Sequence, residues 1–587
     1  MPNFLPLFRP GEELPLFLRR KRESTFTTCS KNLRSLHRRP KSLIVLLSIF
    51  FLVGFGYTQF YSFSGAIQTA ENREAVDIIA AQKHRLQDDF EQLKKHSNGQ
   101  SKEVEGLPLP ESAEIKEAES EKRQLAEPKY PQFKGPQNDR QKAVVSAMKH
   151  AWNGYKTYAW GKDQLMPIAG KSQEWMGCGL TIIDSLDTLV IMGLDEEFSE
   201  ARKWIETDLN FEIDKYVSLF ETTIRVLGGL MSTYHITGER LFLTKAEDIG
   251  SRLIGGLDAP SAIPYSDVNL KTKTGKQPAW GGESSLSEVT SIQLEFRALS
   301  RALRNETYEK AAFKISEHIH NLGCKEYQGL CDMFVSPTTG KFRSGTTITL
   351  GARADSYYEY LLKQWLQTGK TINWLKEDYE EAVNGIKNLL WRFSEPSKLA
   401  FPGELLGGKS FSPKMDHLVC FLAGTLALGA HNGFPNEHMD MARNLSQSCR
   451  KMYDTPTGLG PEIVYFNEIP GVKEDISIKP LDAHCLLRPE AFEAWFYMYR
   501  FTGDKMYQEW GWTAFQAIEN YAKVKNGYSS INSVKKIPVT YRDLMESFFL
   551  AETLKYLYLL FADDQSEIPL DKFVFNTEGH VMLIYDN

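Results

Sequence analysis

Seven apolar segments with helical spacing recur between residues 188 and 561, and they constrain the fold more than any other feature of this sequence. Two of them end in a glycine turn, Gly238 in T-G-E-R-L-F and Gly503 in T-G-D-K-M-Y, which a more amphipathic segment follows. Glycine readily adopts the left-handed conformation that ends a helix. Pairs of one helix that is apolar all round and one that is two-faced predict the inner and outer helices of a closed toroid. The seven segments are T-L-V-I-M-G-L, T-T-I-R-V-L-G-G-L-M-S-T-Y, S-I-Q-L-E-F-R-A-L-S-R-A-L, Y-Y-E-Y-L-L-K-Q-W-L, L-V-C-F-L-A-G-T-L-A-L-G, A-F-E-A-W-F-Y-M-Y-R and S-F-F-L-A-E-T-L-K-Y-L-Y-L-L-F.

A toroid of this kind makes residues 138–587 a single all-α domain. Length alone would suggest otherwise, because a chain of 587 residues fits three or four domains of ~150 residues each. Hydrophobic residues make up 42% of the chain and charged residues 25%, which is close to the average for soluble globular proteins. This composition excludes a disordered chain, a collagen, a coiled-coil rod and a multi-span membrane protein.

An uncharged segment at residues 42–63, S-L-I-V-L-L-S-I-F-F-L-V-G-F-G-Y-T-Q-F-Y-S-F, divides the chain by charge. Residues 1–41 carry a net +7, which leaves about −13 for the rest of a chain whose total is −6. About 20 apolar residues cross a bilayer core of roughly 30 Å. The positive-inside rule then places the basic tail 1–41 in the cytosol and the remainder in the lumen. We therefore expect a single-pass type II membrane protein, and the net negative charge argues against a nucleic-acid partner.

A cleaved signal peptide is the alternative interpretation of residues 42–63. The 41-residue leader, the length of the apolar run and the lack of a clear small-x-small cleavage site favour an uncleaved signal anchor. Residues 64–137 are rich in Glu, Lys, Gln and Ser, with several prolines near the end. Such a segment buries too little apolar surface to offset its ordering entropy, so we expect a polar luminal stem.

Six of the seven cysteines follow the predicted anchor, where an oxidising lumen permits disulfides. Their connectivity does not follow from their number. Cys324 and Cys331 are close enough in sequence to pair. Asn305 in N-E-T and Asn444 in N-L-S are glycosylation candidates in the same compartment.

Carboxylates near the ends of the most apolar segments are the first indication of chemistry, because ionised carboxylates are seldom fully buried unless they are paired. Neighbouring arginines supply hydrogen-bond donors for sugar hydroxyls, and neighbouring phenylalanines supply a face on which a sugar can stack. Together with the acids they suit a carbohydrate pocket. If the inner helices converge at one end of the toroid, these acids line one funnel. They are Glu221, Asp355, Glu490, Glu493, Glu546 and Glu552.

Each acid also has a purely structural interpretation. Glu221 and Arg225 have the i,i+4 spacing of a surface ion pair worth ~0.3–0.5 kcal/mol. S-Y-Y-E at 356–359 matches a capping box, which would make Asp355 the residue before an N-cap. Glu490 follows a proline that suits the first position of a helix, where the helix dipole favours an acid.

The sequence from about residue 138 to 578 resembles the class I α-1,2-mannosidases (glycoside hydrolase family 47), and within them the endoplasmic reticulum type. The strings that carry the resemblance follow the family's order and span most of the predicted luminal domain. They are N-D-R-Q-K-A-V, D-S-L-D-T-L, L-F-E-T-T-I-R-V-L-G-G-L, I-P-Y-S-D-V-N, E-V-T-S-I-Q-L-E-F-R, G-A-R-A-D-S-Y-Y-E-Y-L-L-K-Q-W, K-M-D-H-L-V-C-F-L, L-L-R-P-E, Y-S-S-I-N, M-E-S-F-F-L-A-E-T-L-K-Y and F-N-T-E-G-H. The family fold is an (α/α)7 barrel, in agreement with the seven helix pairs.

The resemblance implies inverting hydrolysis of terminal α-1,2-linked mannose from high-mannose N-glycans of glycoproteins. By the family pattern Glu221 is the general acid, acting through a water. Glu490 is the general base that activates the attacking water, and Asp355 is a third essential carboxylate. An inverting pair stands ~6.5–9.5 Å apart to leave room for that water.

The resemblance also implies a Ca²⁺ cofactor. The family binds the ion through the hydroxyl and carbonyl oxygens of one threonine, here Thr577, with waters and substrate hydroxyls as further ligands. Oxygen ligands in high number suit Ca²⁺. Glu490 and three further carboxylates, Glu493, Glu552 and Glu578, would hold those waters.

The same matching strings assign the family's disulfide and its sugar-binding residues to positions of this sequence. Cys420 and Cys449 match the disulfide, and Arg353 is typical of the endoplasmic reticulum type, which removes one specific mannose from a nine-mannose glycan. The resemblance also implies that the protein resides in the endoplasmic reticulum or the Golgi. The expected sugar contacts are Arg225, Arg353, His417, Arg488 and Phe548.

Two departures from the family pattern bear on branch preference. The family usually has Ala-His-Pro where this chain has Gly579-His580-Val581, and Phe492 and Trp495 are bulkier than usual. The alternatives to an enzyme are a membrane-tethered mannose-binding lectin without hydrolysis and an anchored scaffold that binds polypeptide. Joint presence of Glu221 and Asp355 with the other site residues argues against the lectin, and the scaffold would not require converging acids.

Overall fold

The computed structural model describes residues 130–278 and 281–585, and these belong to one compact unit. The predicted cytosolic tail (1–41), the anchor (42–63) and the stem (64–137) up to residue 129 lie outside the described residues and stay predictions. Within the described ranges, no helix is both long and apolar enough to cross a membrane.

The chain is mostly helical, as predicted, and its longer helices alternate between an apolar and an amphipathic set. The apolar helices are α2 (Leu180–Ile191), α4 (Gly228–Thr237), α6 (Gln293–Leu303), α8 (Asp355–Gln367), α10 (Phe421–His431), α12 (Glu490–Thr502) and α14 (Leu554–Leu560). The amphipathic helices are α1 (Asp139–Tyr158), α3 (Asp195–Thr207), α5 (Arg240–Leu253), α7 (Thr307–Leu322), α9 (Asn373–Gly385), α11 (Asn436–Lys451) and α13 (Met506–Tyr521).

The two sets of helices differ in burial as their sequences predict. Every residue of α8 and of α14 is buried. In α3, by contrast, only Ala201 and Ile205 are buried. An apolar surface that covers the whole circumference of a helix must be covered on all sides, whereas a single stripe needs one neighbour. The apolar helices therefore form the centre of the core.

The contacts between helices close on themselves. Each apolar helix packs against the next one along the chain, from α2 through α14. A π-helical segment that precedes α14, Phe549–Thr553, packs against α2. Each amphipathic helix packs on an apolar partner: α3 on α2, α5 on α4, α7 on α6, α9 on α8, α11 on α10, α13 on α12, and α1 on α14.

Glycine ends two of the apolar helices at the predicted places. Gly238 has φ 75° and ends α4, and Gly503 has φ 69° and ends α12. Helices α5 and α13 then begin at Arg240 and Met506. These two helix ends confirm the turn-and-second-helix pattern.

Short antiparallel sheets, which the sequence analysis did not anticipate, connect the helices. Six are two-stranded within the described residues, and the other two have three strands. The strands are β1 (Gln164–Met166), β2 (Lys171–Gln173), β3 (Tyr216–Ser218), β4 (Asp267–Asn269), β5 (Thr274–Lys276), β6 (Ser284–Ser285), β7 (Phe334–Val335), β8 (Trp391–Phe393), β9 (Ala400–Pro402), β10 (Glu404–Leu406), β11 (Ser410–Ser412), β12 (Lys414–Asp416), β13 (Ile463–Phe466), β14 (Ile476–Ser477), β15 (Lys523–Val524), β16 (Gly527–Tyr528), β17 (Phe573–Phe575) and β18 (Val581–Leu583).

Two disulfides cross-link the described part of the chain. Cys420 bonds to Cys449, as the family resemblance implied, and Cys324 bonds to Cys331. Cys178 and Cys485 are buried thiols there. Asn305 and Asn444 are both exposed, so their use as glycosylation sites stays a prediction.

Candidate active site

One cleft of about 610 Å³, including the part open to solvent, gathers most of the predicted site residues. Its lining comes mainly from residues at the starts of apolar helices and from the turn between β17 and β18. All three predicted catalytic carboxylates are present, and so are Thr577 and the four carboxylates predicted to surround the calcium ion. The polar and charged lining residues are Glu221, Arg225, Asp355, Ser356, Glu359, Arg488, Glu490, Glu493, Glu552, Thr577 and Glu578.

Two π-helical segments carry part of the lining. Thr222–Leu227 holds Arg225 and begins directly after Glu221, whose own N–H donates to Ser218 Oγ at 3.2 Å. Phe549–Thr553 holds Glu552. Single π-helical turns inside helices often occur at functional sites, because they change the direction of the side chains relative to a regular helix. Both segments open onto the same cleft.

Arg225 joins several acids beneath the cleft. Its Nε donates to Glu221 Oε2 at 2.9 Å, and its terminal nitrogen donates to Glu578 and, at 3.2 Å, to Ser547 Oγ. The alternative interpretation as an exposed i,i+4 pair is wrong, since Arg225 is 6% and Glu221 2% exposed. A buried charge pair is stabilised by the additional hydrogen bonds around it, and here they fix the Glu221 carboxylate.

Asp355 is the first residue of α8 and is buried at the cleft wall. Its Oδ1 accepts hydrogen bonds from Ser287 Oγ at 2.7 Å and from the Ser356 N–H at 3.0 Å. Burial nevertheless raises the pKa of Asp355 to about 7. The capping-box interpretation was wrong: the N-cap is Ala354, and Glu359 forms an ion pair with Lys363.

Glu490 is the first residue of α12 and directly follows Pro489. Its Oε2 lies 2.8 Å from His417 Nδ1. Burial acts to raise the pKa of Glu490, but the hydrogen bond and charge of His417 and the charge of Arg488 outweigh it and hold the pKa below its ordinary value. A carboxylate that is ionised at neutral pH has the protonation state that a general base requires.

Phe548 offers a flat apolar surface to the cleft between two guanidinium groups. The centroid of its ring lies 5.6 Å from the Arg225 guanidinium carbon and 5.7 Å from that of Arg488. Arg488 is held in place because its Nε donates to Glu462 Oε2 at 2.6 Å. An aromatic face beside guanidinium groups that can donate hydrogen bonds to hydroxyls matches the alternating apolar and polar surface of a sugar ring.

The turn between β17 and β18 places Thr577 and Glu578 in the cleft. Asn576 Oδ1 shapes this turn by accepting the N–H groups of Glu578 at 2.9 Å and His580 at 2.8 Å. Gly579 has φ 69°, which a residue without a side chain adopts at little cost. The Thr577 N–H lies 3.4 Å from the hydroxyl of Tyr360. Hydrogen bonds from backbone N–H groups of the turn to neighbouring side chains thus hold the threonine in place.

A buried ionic network that the sequence analysis missed anchors this turn. His580 lies 3.0 Å from both Asp184 and Asp187 of α2. Lys555 Nζ bonds to Asp187 at 2.9 Å and to the carbonyl oxygen of Gly579 at 2.6 Å. All of these side chains are fully buried. The two aspartates in D-S-L-D-T-L were a usable signal, since they too are acids in an apolar helix.

Four carboxylates crowd the region around Thr577. Burial and mutual repulsion raise the pKa of Glu552 well above its ordinary value, and Glu578, Glu490 and Glu493 are the repelling neighbours. Burial likewise raises the pKa values of Glu578 and Glu493, although Arg225 and Lys363 oppose the rise. Adjacent buried carboxylates ionise together only when a cation offsets their charge. Because every donor here is an oxygen, the set fits a hard cation such as Ca²⁺.

Three residues selected from the sequence lie outside the cleft lining. His417 lies behind Glu490, and Arg353 packs its guanidinium 5.5 Å from the ring centroid of Phe334. Glu546 Oε2 accepts a hydrogen bond from Gln164 Nε2 at 2.7 Å. The expected contacts of His417 and Arg353 with sugar stay predictions.

The bulky residues that depart from the family pattern also lie away from the cleft lining. Phe492 and Trp495 are buried and stack edge-on with ring centroids 5.5 Å apart. Trp495 also contacts Tyr453. These rings fill the core beside α12, so their size affects packing there.

Comparison with known proteins identifies relatives of this chain. The model of glycosyl hydrolase family 47 matches residues 147–584. Endoplasmic reticulum mannosyl-oligosaccharide 1,2-alpha-mannosidases from Mus musculus and Homo sapiens are each 53% identical to it, over 457 and 455 residues. The alignments cover 77% and 76% of this chain, and 69% of the mouse and 64% of the human protein.

A solved structure is similar over the same region. The alpha-1,2-mannosidase from Trichoderma reesei superposes with a TM-score of 0.72 at 29% identity, and the match covers 77% of this chain and all of the fungal one. The mostly helical fold and the family resemblance read from the sequence therefore agree with these comparisons.

Proposed function

Since the chain belongs to glycosyl hydrolase family 47, we propose that its acidic cleft hydrolyses terminal α-1,2-linked mannose from high-mannose N-glycans with inversion at the anomeric carbon. Removal of α-1,2-linked mannose is the activity for which its mannosidase relatives are named. The observation that carries the proposal is the convergence of Glu221, Asp355 and Glu490 on one cleft. Hydrolysis of a glycoside needs two carboxyl groups on opposite sides of the bond, and a lectin needs neither.

In the proposed reaction Glu490 accepts a proton from the attacking water. The bond from that water's oxygen to the anomeric carbon forms as the bond to the leaving oxygen breaks, and the leaving oxygen takes a proton that originates at Glu221. Glu221 is protonated before this step, and a bridging water relays its proton to the leaving oxygen. Arg225 Nε then donates to the Glu221 carboxylate that remains. Asp355, with a pKa of about 7, is the third carboxyl group in contact with the cleft.

We further propose that Ca²⁺ binds at Thr577. No group of three acidic, histidine or cysteine side chains in the described residues is arranged to hold an ion directly. By the family pattern the hydroxyl and carbonyl of Thr577 would be the protein ligands, and Glu490, Glu493, Glu552 and Glu578 would hold the coordinated waters. A bound Ca²⁺ supplies positive charge that orients sugar hydroxyls.

The seven helix pairs support an (α/α)7 barrel. The apolar helices contact one another in sequence order, and the amphipathic helices pack outside them. In such a barrel the starts of α8 and α12 and the turn of β17–β18 meet on the axis. This arrangement brings together acids that are as far apart in sequence as Glu221 and Glu578.

We propose that the barrel lies in the lumen of the endoplasmic reticulum behind the anchor at 42–63. The mouse and human relatives are named as endoplasmic reticulum proteins. Two disulfides in the barrel agree with an oxidising compartment. Specificity for one mannose of the nine-mannose glycan rests on Arg353 and stays part of this proposal.

Mannose release from a purified nine-mannose N-glycan tests the proposed function. We expect release of mannose and accumulation of one eight-mannose isomer, which chromatography against the three possible isomers identifies. A mixture of isomers would contradict selectivity for one branch. Tight binding of the glycan without release would contradict hydrolysis and support the lectin alternative.

A further inference from the structure

Behind Glu490, two more side chains extend the hydrogen bonding away from the cleft. His417 Nδ1 lies 2.8 Å from Glu490 Oε2, and His417 Nε2 lies 2.9 Å from the hydroxyl of Tyr453. An ionised carboxylate only accepts hydrogen bonds, so Nδ1 carries the proton and donates it. The second ring nitrogen, Nε2, shares its hydrogen bond with the Tyr453 hydroxyl, which donates when the imidazole is neutral and accepts when it is protonated.

Tyr453 has no place in the cleft lining. It lines a separate small cavity of about 250 Å³ together with His417, Gly460 and Phe492. Its ring is 7% exposed and packs edge-on against Phe492 at a centroid distance of 6.0 Å. The hydrogen bonds therefore connect the Tyr453 hydroxyl to Glu490 through His417.

The backbone permits this contact at Gly460. A Cβ at that position would lie 3.1 Å from the Tyr453 ring and 3.2 Å from the His417 ring. Those distances are shorter than ordinary van der Waals contact, so even an alanine would force the two rings to shift. The close approach of Tyr453 and His417 thus depends on a glycine.

A disulfide joins the two elements that carry the imidazole and the phenol. His417 begins the short 3₁₀-helix His417–Cys420, which ends at the disulfide-bonded Cys420. Cys449 lies in the last turn of α11, and Tyr453 follows that helix closely. The bond between Cys420 and Cys449 therefore ties the segment of His417 to the segment of Tyr453.

We propose that Tyr453 is a positioning residue for the base Glu490, acting through His417, and that the Cys420–Cys449 bond holds this pair together. The hydrogen bond to the Tyr453 hydroxyl fixes the ring orientation of His417. His417 in turn occupies one oxygen of Glu490 and directs the other towards the attacking water. This proposal rests on the assignment of Glu490 as the base in the proposed function.

The substitution Tyr453→Phe removes one oxygen and keeps the packed ring. We expect kcat for mannose release to fall about tenfold, the effect of one lost hydrogen bond. KM should stay within a factor of two, since the phenol does not touch the cleft. A change confined to KM, or no change in kcat, would overturn the proposal.

A double-mutant cycle with His417→Ala separates positioning from general packing. If Tyr453 acts only through His417, Tyr453→Phe should cause no further loss of kcat in the His417→Ala background. Independent, additive losses would overturn the proposal. Tyr155→Phe is the matched control, because the buried Tyr155 hydroxyl donates to the Lys162 carbonyl at 2.6 Å far along the chain from the site. This control should keep the wild-type kcat.

Two further variants keep the test decisive. If Tyr453→Phe does not fold, Gly460→Ala perturbs the same contact without removing a polar atom and should also lower kcat, and an unchanged kcat would overturn the proposal. Glu490→Gln separates the two levels of the account. Inactive Glu490→Gln beside fully active Tyr453→Phe overturns the positioning role alone, whereas active Glu490→Gln overturns the base assignment itself.

Discussion

The substitution Glu221→Gln is expected to lower kcat for mannose release by about 10²–10⁴-fold, the usual contribution of a general acid. The amide has nearly the same shape as the carboxyl group but delivers no proton. It can still accept the hydrogen bond from Arg225 Nε, so the cleft should keep its structure. Binding of the nine-mannose glycan, measured by titration calorimetry, should therefore stay close to wild type.

Glu519→Gln is the matched control for this experiment. Glu519 is a partly buried carboxylate that binds Tyr528 and Lys523 outside the cleft. This variant should release mannose at the wild-type rate. Near-normal release by Glu221→Gln would remove the acid from the mechanism, and loss of glycan binding would show that Glu221 serves recognition.

Removal of calcium is expected to abolish activity. Burial and the repulsion of neighbouring carboxylates raise the pKa values of Glu552, Glu578 and Glu493, and a bound cation would offset that repulsion. An excess of EDTA should lower mannose release more than about 100-fold, in line with several kcal/mol of charge stabilisation by a catalytic ion. Added Ca²⁺ should restore it, and unchanged activity in excess EDTA would contradict the cofactor.

Thr577 provides the local test of the ion's position. Thr577→Val keeps the shape of the side chain and removes the hydroxyl, so it should weaken Ca²⁺ binding in calorimetry. Thr577→Ser retains the hydroxyl and should bind Ca²⁺ nearly as wild type does. Equal affinity of both variants would place the ion elsewhere.

The helical core was predictable because its signals are local. Seven apolar segments and the glycine turns at Gly238 and Gly503 are short-range patterns, and the structure has helices and helix ends at those places. Carboxylates in apolar helices were an equally local sign of the cleft, since burying a charge without a partner is costly. Glu221 and Glu490 were found in this way.

Other features depend on contacts that no local pattern reports. The π-helical segment Thr222–Leu227 lies in an apolar stretch that the sequence presents as an ordinary helix, and all of its residues are buried. His580 meets Asp184 across 396 residues of sequence. The i,i+4 spacing of Glu221 and Arg225 likewise fits a surface ion pair. The pair is buried only because the core closes around it.

Family membership supplied what residue chemistry alone did not. Thr577 is an ordinary loop threonine in the sequence, and nothing in its spacing indicated a metal. The structure adds the crowded acids around it and the turn that holds it. The predicted anchor at 42–63 lies outside the described residues, and its test is extraction of the full chain from membranes.

The anomeric form of the released sugar tests the central claim most directly. Proton NMR recorded during the first turnovers distinguishes the two anomers before mutarotation mixes them. Inversion by Glu221 and Glu490 predicts that β-mannose appears first. Release of α-mannose would mean a retaining mechanism and would contradict the roles assigned to both carboxylates.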